Sequence, residues 1–182
     1  MKKEACGLFG ISGHPEAARM AYFGLYALQH RGQESAGIVT WDGQNIREQR
    51  GMGLVADVFN ESHLGHQLKG NVAMGHVRYG LTGVPLIRDA QPFKVFYQGL
   101  HMALGHNGSL VNTDSLRQEL EDQGTIFQTC MDSEVIMHLV AKNLNGCTIE
   151  QAITKACARL KGSFSLLFMI NNKLIAVRDP WG

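Results

Sequence analysis

Cysteine is scarce in this chain. There are four, Cys6, Cys130, Cys147 and Cys157, in 182 residues. No two stand at C-x-x-C spacing, which removes the common zinc and redox motifs. So few thiols over this length fit a reduced, cytoplasmic protein. Long hydrophobic runs are also missing. The longest, Leu166 to Ile170, is far too short to cross a bilayer, so no membrane partner is expected. The opening MKKEACGLFG has two lysines but no apolar stretch, because Gly7, Gly10 and Gly13 interrupt it, and no signal peptide is read. An excess of one charge is absent too: 17 Lys and Arg stand against 16 Asp and Glu. Without a basic stripe, nucleic-acid binding is not expected. Without a block of like charges, neither is an interaction tail. There is no internal repeat and no low-complexity linker.

What is present suits one globular domain with a real core: 45% of the residues are hydrophobic. Cys6 to Ile11 reads as a buried strand. Pro15 can open a helix, and Ala18, Ala21, Tyr22, Leu25 and Leu28 recur at helical spacing before Gly32. Ser35 to Trp41 reads as a strand, followed by an Asp42-Gly43 turn and a second strand around Ile46. Val72 to Tyr79 and Leu100 to His106 read as further strands. Three helices follow, over about 113–123, over about 133–145, and from Thr148 to a stop at Gly162. Ser163 to Ile170 and Lys173 to Arg178 form a hairpin around Asn171-Asn172. Hairpin signals and clustered helices predict an α+β fold with antiparallel sheets. The chain stops at Trp181-Gly182 with no capping segment after the last strand, and the expectation is of a longer protein cut there.

Several polar residues invite two readings each. Cys6 is either a small buried hydrophobe or a nucleophile. Were residues 1–5 removed, its own α-amino group, with a pKa of about 7.7–8.0, would lie beside the thiol as a general base. His106-Asn107-Gly108-Ser109 is a turn, or a turn that aims the Asn107 amide and the Gly108 N–H at one developing oxyanion. Arg78 is a surface arginine or a guanidinium fork for a carboxylate. Asp132 is a helix N-cap, a role Ser133 could share, or a carboxylate for a substrate ammonium. Residues 29–37 are a polar loop where helix meets strand. His63 and His66 have metal-ligand spacing but no clear third ligand, so a wet helix face is preferred. His138 belongs to a helix face without special chemistry. Taken together, a cation, an anion, a nucleophile and an oxyanion hole match free glutamine, which carries an α-carboxylate, an α-ammonium and a side-chain amide.

The ordered markers CGLFGI at Cys6, LQHRGQESAG from Leu28, GLVADVF from Gly53, GHVRY from Gly75, AQPF from Ala90, HNGSL from His106, MDSE from Met131 and RDP at Arg178 resemble the class II, N-terminal-nucleophile glutamine amidotransferases. The resemblance covers essentially residues 6–182. QHRGQESAG, HVRYGLTG and AQPF are closest to the purine-synthesis branch, whose ammonia goes to phosphoribosyl diphosphate in a second half of the protein. Sugar-phosphate aminotransferases, typically with EYRGYDSAG and HTRWATHG, are the alternative branch. An inactive glutamine-binding regulatory domain is the non-enzymatic alternative.

The resemblance implies a four-layer αββα sandwich. It implies a leader of residues 1–5 removed on maturation and a glutaminase domain over residues 6–182 that stops short of the phosphoribosyltransferase domain. Cys6 would be the nucleophile, Asn107 and Gly108 the oxyanion hole, Arg78 and Asp132 the glutamine clamp, and Arg31 an organiser of the site. No metal or other cofactor is expected in this domain. Magnesium and an iron–sulfur cluster would belong to the other half, where phosphoribosyl diphosphate binds, and the full-length protein would be a homo-oligomer. Leu81 departs from the usual Thr, and Trp181 stands where Asn is common.

Overall fold

The computed structural model describes residues 6–80 and 86–181, so the expected leader and Leu81 lie outside the described residues. The chain runs through β1 (Gly7–Ser12), α1 (Ala17–Ala27), β2 (Ser35–Trp41), β3 (Ile46–Met52), α2 (Val55–Val58) and β4 (Val72–Arg78). It continues through β5 (Phe93–Tyr97), β6 (Leu100–Leu110), α3 (Thr113–Asp122), α4 (Asp132–Asn143), α5 (Ile149–Cys157), β7 (Gly162–Ile170) and β8 (Lys173–Arg178). The strands form two antiparallel sheets, ordered β1-β4-β2-β3 and β5-β6-β7-β8.

Local chemistry explains the turns. Asp42 Oδ1 accepts the backbone N–H groups of Gln44 and Asn45 at 2.8 and 2.7 Å, and Gly43 takes φ +102°. These bonds, with Arg47 beside them, pull the Asp42 carboxyl down to about 2. In the last hairpin Asn171 supplies the left-handed residue, φ +50°. Thr148 caps α5 through a full capping box with Gln151.

A half-exposed antiparallel strand alternates buried and exposed residues. Strands β2, β4 and the middle of β6 do not: nearly every residue is buried. Each is covered on both sides. Ala36, Ile38, Ala73 and Val77 pack with Ala18, Ala21 and Leu25 of α1. The intervening Val39, Val72 and Met74 pack with Ala103 and Met169 of the second sheet. That sheet's outer residues, Met102, Leu104, Phe164 and Phe168, pack with Val135, Leu139, Ile153 and Ala156 of α4 and α5. The result is helix, sheet, sheet, helix, as the α+β expectation and the αββα resemblance required.

Four local expectations change. Helix α1 opens at Ala17, with Glu16 at its cap, rather than at Pro15. Strand β6 extends to Leu110, because β7 pairs with it along the whole stretch. Helix α5 ends at Cys157, and Gly162, at φ +131°, opens β7 instead of stopping a helix. The chain is drawn out there by Asn112, whose Oδ1 accepts from the Lys161 N–H at 2.9 Å. Edge strand β5 and the four-residue α2 carry too little periodicity to stand out in the sequence.

Candidate active site

Side chains alternate across a strand, so parity decides which residues meet. On β1, Gly10 faces Leu167 of the second sheet; a Cβ there would lie 2.8 Å from that side chain. The same alternation carries Leu8 toward the second sheet, and Cys6 stands immediately before β1. On β4, Met74, His76 and Arg78 face it as well. On β6, Gly105 faces back, close enough that a Cβ would lie 2.5 Å from Leu8, and Asn107 follows on that face. β1 begins beside the end of β4, with Gly7 opposite Val77. Cys6, Arg78 and Asn107 therefore gather at one end of the inter-sheet cleft.

Asn107 and Gly108 lie inside β6, opposite Ser165 and Phe164. The expected turn is corrected here. The Asn-Gly pair makes an irregular strand residue, with Gly108 at φ +140°. A Cβ at Gly108 would collide with the Ser163 carbonyl and lie 2.8 Å from the Phe164 Cα, so both the dihedral and the space demand glycine. An open pocket of about 350 Å³ borders Asn107 and Gly108, walled by Ser163, Phe164, Arg178 and Asp179. Cys6, Arg78 and Asp132 are not among its lining residues.

Arg78 is not a bare surface arginine. Its side chain is 17% exposed, and its Nη1 donates to Glu34 Oε1. Its Nη2 faces the Met131 sulfur at 3.6 Å. Asp132 is the first residue of α4 rather than its cap, which is Met131. Its Oδ1 accepts from Thr113 Oγ1 at 2.9 Å and its Oδ2 from the Leu110 N–H at 3.4 Å. A carboxylate at a helix start also gains from the helix dipole. Arg31, in a short 3₁₀ turn, donates from Nε to the Cys6 carbonyl at 2.9 Å and so fixes the start of β1.

Beneath these groups two buried histidines join the sheets. His76 Nε2 donates to the His106 carbonyl at 3.0 Å. Burial pushes His76 down to about 4. Burial also holds His106 below its ordinary value, against the pull of the Asp132 charge. The His106 N–H is accepted by Gln91 Oε1 at 2.7 Å. Glu134, buried in the first turn of α4, accepts from the Thr129 N–H and hydroxyl, each at 2.7 Å, and from the Gln128 N–H at 2.8 Å. Asp179 Oδ2 accepts the Phe164 N–H at 3.0 Å, tying the end of the chain beside Gly108.

The sequence reading missed Glu34, Gln91 and Thr113 as site-builders. Glu34 was within a polar loop, and Gln91 was visible only as part of the AQPF marker. The remaining candidates stay apart from the site. His63 and His66 lie on a short π-helical turn, His63–Gln67. Among the described residues no group of three His, Cys, Asp or Glu side chains could hold a metal ion. His138 is half-buried, edge-on to Phe127. No described helix is long and apolar enough to cross a membrane.

Residues 76–182 match the family described as glutamine amidotransferase domain. The chain is 48% identical to an amidophosphoribosyltransferase of Methanocaldococcus jannaschii, over 97% of this chain and 38% of that protein. It is 45% identical to the chloroplastic amidophosphoribosyltransferase 3 of Arabidopsis thaliana, over 98% of this chain and 33% of that protein. The fold superposes with a TM-score of 0.91, at 43% identity, on a structure described as the allosteric regulatory enzyme of purine biosynthesis, covering 96% of this chain and 37% of that one. The chain spans about a third of the length of the curated relatives it matches.

Proposed function

We propose that this chain, which belongs to the glutamine amidotransferase domain family, hydrolyses the side-chain amide of free glutamine to glutamate and ammonia. The observation that carries the reading is the gathering of Cys6, Arg78 and Asn107 at one end of the inter-sheet cleft. Asp132 stands at the adjoining end of α4, whose cap Met131 touches Arg78.

Removal of residues 1–5 would leave Cys6 with an α-amine. That amine takes the thiol proton, and the sulfur attacks the carboxamide carbon. The Asn107 amide and the Gly108 N–H stabilise the oxyanion of the tetrahedral intermediate. The C–N bond then breaks, the terminal ammonium returns its proton to the leaving nitrogen, and a thioester remains. Water, deprotonated by the same amine, hydrolyses the thioester to glutamate. Arg78 and Asp132 hold the substrate's α-carboxylate and α-ammonium, and Arg31 steadies the Cys6 carbonyl. At full length the ammonia would aminate phosphoribosyl diphosphate in the following domain, giving phosphoribosylamine for purine synthesis. A reduced cytoplasmic setting suits the thiol.

The test is glutamate release from glutamine, read with the intact mass and the N-terminal sequence of the same sample. Activity is expected only in protein beginning at Cys6, and none in Cys6→Ala. Full activity in protein that still begins at Met1 would refute the terminal-amine mechanism.

A further inference from the structure

Arg78 already holds a carboxylate. Its Nη1 donates to Glu34, and both side chains are largely buried, at 17% and 14% exposure. Glu34 is itself fixed from both sides. Its N–H donates to the Arg78 carbonyl at 3.0 Å, and its carbonyl accepts from the Gly53 N–H at 2.8 Å. The next residue, Ser35, pairs directly with Arg78 across β2 and β4. Cation and anion are thus built on adjoining backbone, not brought together by long, mobile side chains. The other end of the guanidinium, Nη2, faces the Met131 sulfur, a weak acceptor, which among the described residues is its one hydrogen-bond partner. That end points toward the start of α4, where Asp132 stands.

We propose that Glu34 is a positioning residue for glutamine recognition. Its carboxylate takes one side of the Arg78 guanidinium and turns the remaining donors toward Asp132, where the substrate's α-carboxylate and α-ammonium meet them. Arginine has five N–H donors in a rigid plane, so one side can be anchored while another binds a second carboxylate. Without the anchor, a partly buried guanidinium has several rotamers to choose from, and substrate must then bear the ordering cost. The anchor also keeps Arg78 compensated before glutamine arrives. A place-holder that glutamine must displace would predict the opposite sign, because its removal would strengthen binding.

This inference rests on the proposed glutaminase activity, and the test separates the two. The processed wild-type protein is assayed first; absence of glutamate release sinks the functional reading itself. With activity in hand, Glu34→Gln is compared with wild type, Arg78→Ala and the double variant. Glu34→Gln keeps the side chain's shape and both backbone bonds. It is expected to raise KM for glutamine about tenfold, with a much smaller change in kcat, since Glu34 touches no reacting atom. The double variant should be no worse than Arg78→Ala in kcat/KM, because Glu34 acts only through Arg78. An unchanged or lowered KM in Glu34→Gln, or additive losses in the double variant, overturns the proposal and leaves the glutaminase reading standing. Should Glu34→Gln fail to fold, nitrogen NMR of wild-type protein without glutamine gives the answer. Slowly rotating Arg78 Nη groups support the anchor, and freely rotating ones overturn it.

Discussion

Acid should weaken this protein through His76 before it reaches the carboxylates. His76 is fully buried, and its Nε2 is bonded to a carbonyl, which can only accept. Nε2 therefore carries the proton of the neutral ring. Among the described residues Nδ1 has no hydrogen-bond partner, so a second proton would place both a charge and an unpaired donor in the core. This is why burial pushes the group down to about 4 from an ordinary 6.5. The folded value lies below the unfolded one. Between the two, the unfolded chain takes up a proton that the folded chain refuses, and falling pH favours unfolding. The contribution is whole above about 6.5 and is lost as pH falls through about 4. At about 1.4 kcal/mol per pH unit, that interval amounts to about 3 kcal/mol, a large part of a typical stability of about 5–15 kcal/mol. His106, lowered by the same burial, acts in the same direction. Asp42, drawn down to about 2, contributes only at more acid pH. The assay is urea unfolding from neutral pH down to about 4.5, for wild type and His76→Gln, whose amide can still donate to the His106 carbonyl. Wild type should lose stability over this interval by about 2–3 kcal/mol more than the variant. Parallel curves for the two proteins would show that His76 is not the acid-sensitive group.

The proposed substrate clamp and oxyanion hole have separate expected kinetic signatures. Arg78→Ala and Asp132→Asn each remove a charge-assisted bond of about 1.5–3 kcal/mol and should raise KM for glutamine by roughly 10- to 100-fold. Unchanged KM in steady-state glutamate release would remove either residue from the clamp. Asn107→Ala should instead lower kcat by about 100-fold or more, with a weaker effect on KM. If turnover held and only thermal stability fell, Asn107 would be a strand residue and nothing more.

Much of the fold was legible because its elements carry strong local signals. β2 was bounded by Ser35 and Trp41 in the sequence, since the Asp42-Gly43 turn and the polar 29–34 segment frame it. The capped start of α5 and the final hairpin around Asn171-Asn172 were equally plain. The Asn107-Gly108 pair misled for a physical reason. Asn-Gly usually marks a tight turn because glycine tolerates positive φ. Here the positive φ of Gly108 serves a crowded strand crossing against Ser163 and Phe164, and only the paired β7 reveals that. The proposed clamp residues Arg78 and Asp132 were marked out in the sequence by their chemistry and by the resemblance. Their partners were not, because Glu34 is 44 residues from Arg78, Thr113 is 19 from Asp132, and nothing local links them.

The layer arrangement also bears on why a terminal residue would suit the proposed nucleophile's role. The two sheets meet closely along β1 and β6, where Gly105 leaves room for Leu8 and Gly10 for Leu167. An additional side chain entering the cleft there as a general base would have to displace these contacts. At the mouth, where β1 begins and β4 ends, Cys6 is held from behind by Arg31 through its carbonyl. A base supplied by the same residue needs no further strand and no further cavity. It comes with the nucleophile already beside it, at a pKa of about 7.7–8.0 that matches neutral pH. In the proposed reaction the rest of the substrate is divided between the layers, with the carboxylate facing a cation on the first sheet, the oxyanion facing donors on the second, and the ammonium facing the start of α4. Slipping the register of β4 or β6 by one residue would turn Arg78 or Asn107 out of the cleft, so the pairing registers that build the core also set the chemistry proposed at its mouth.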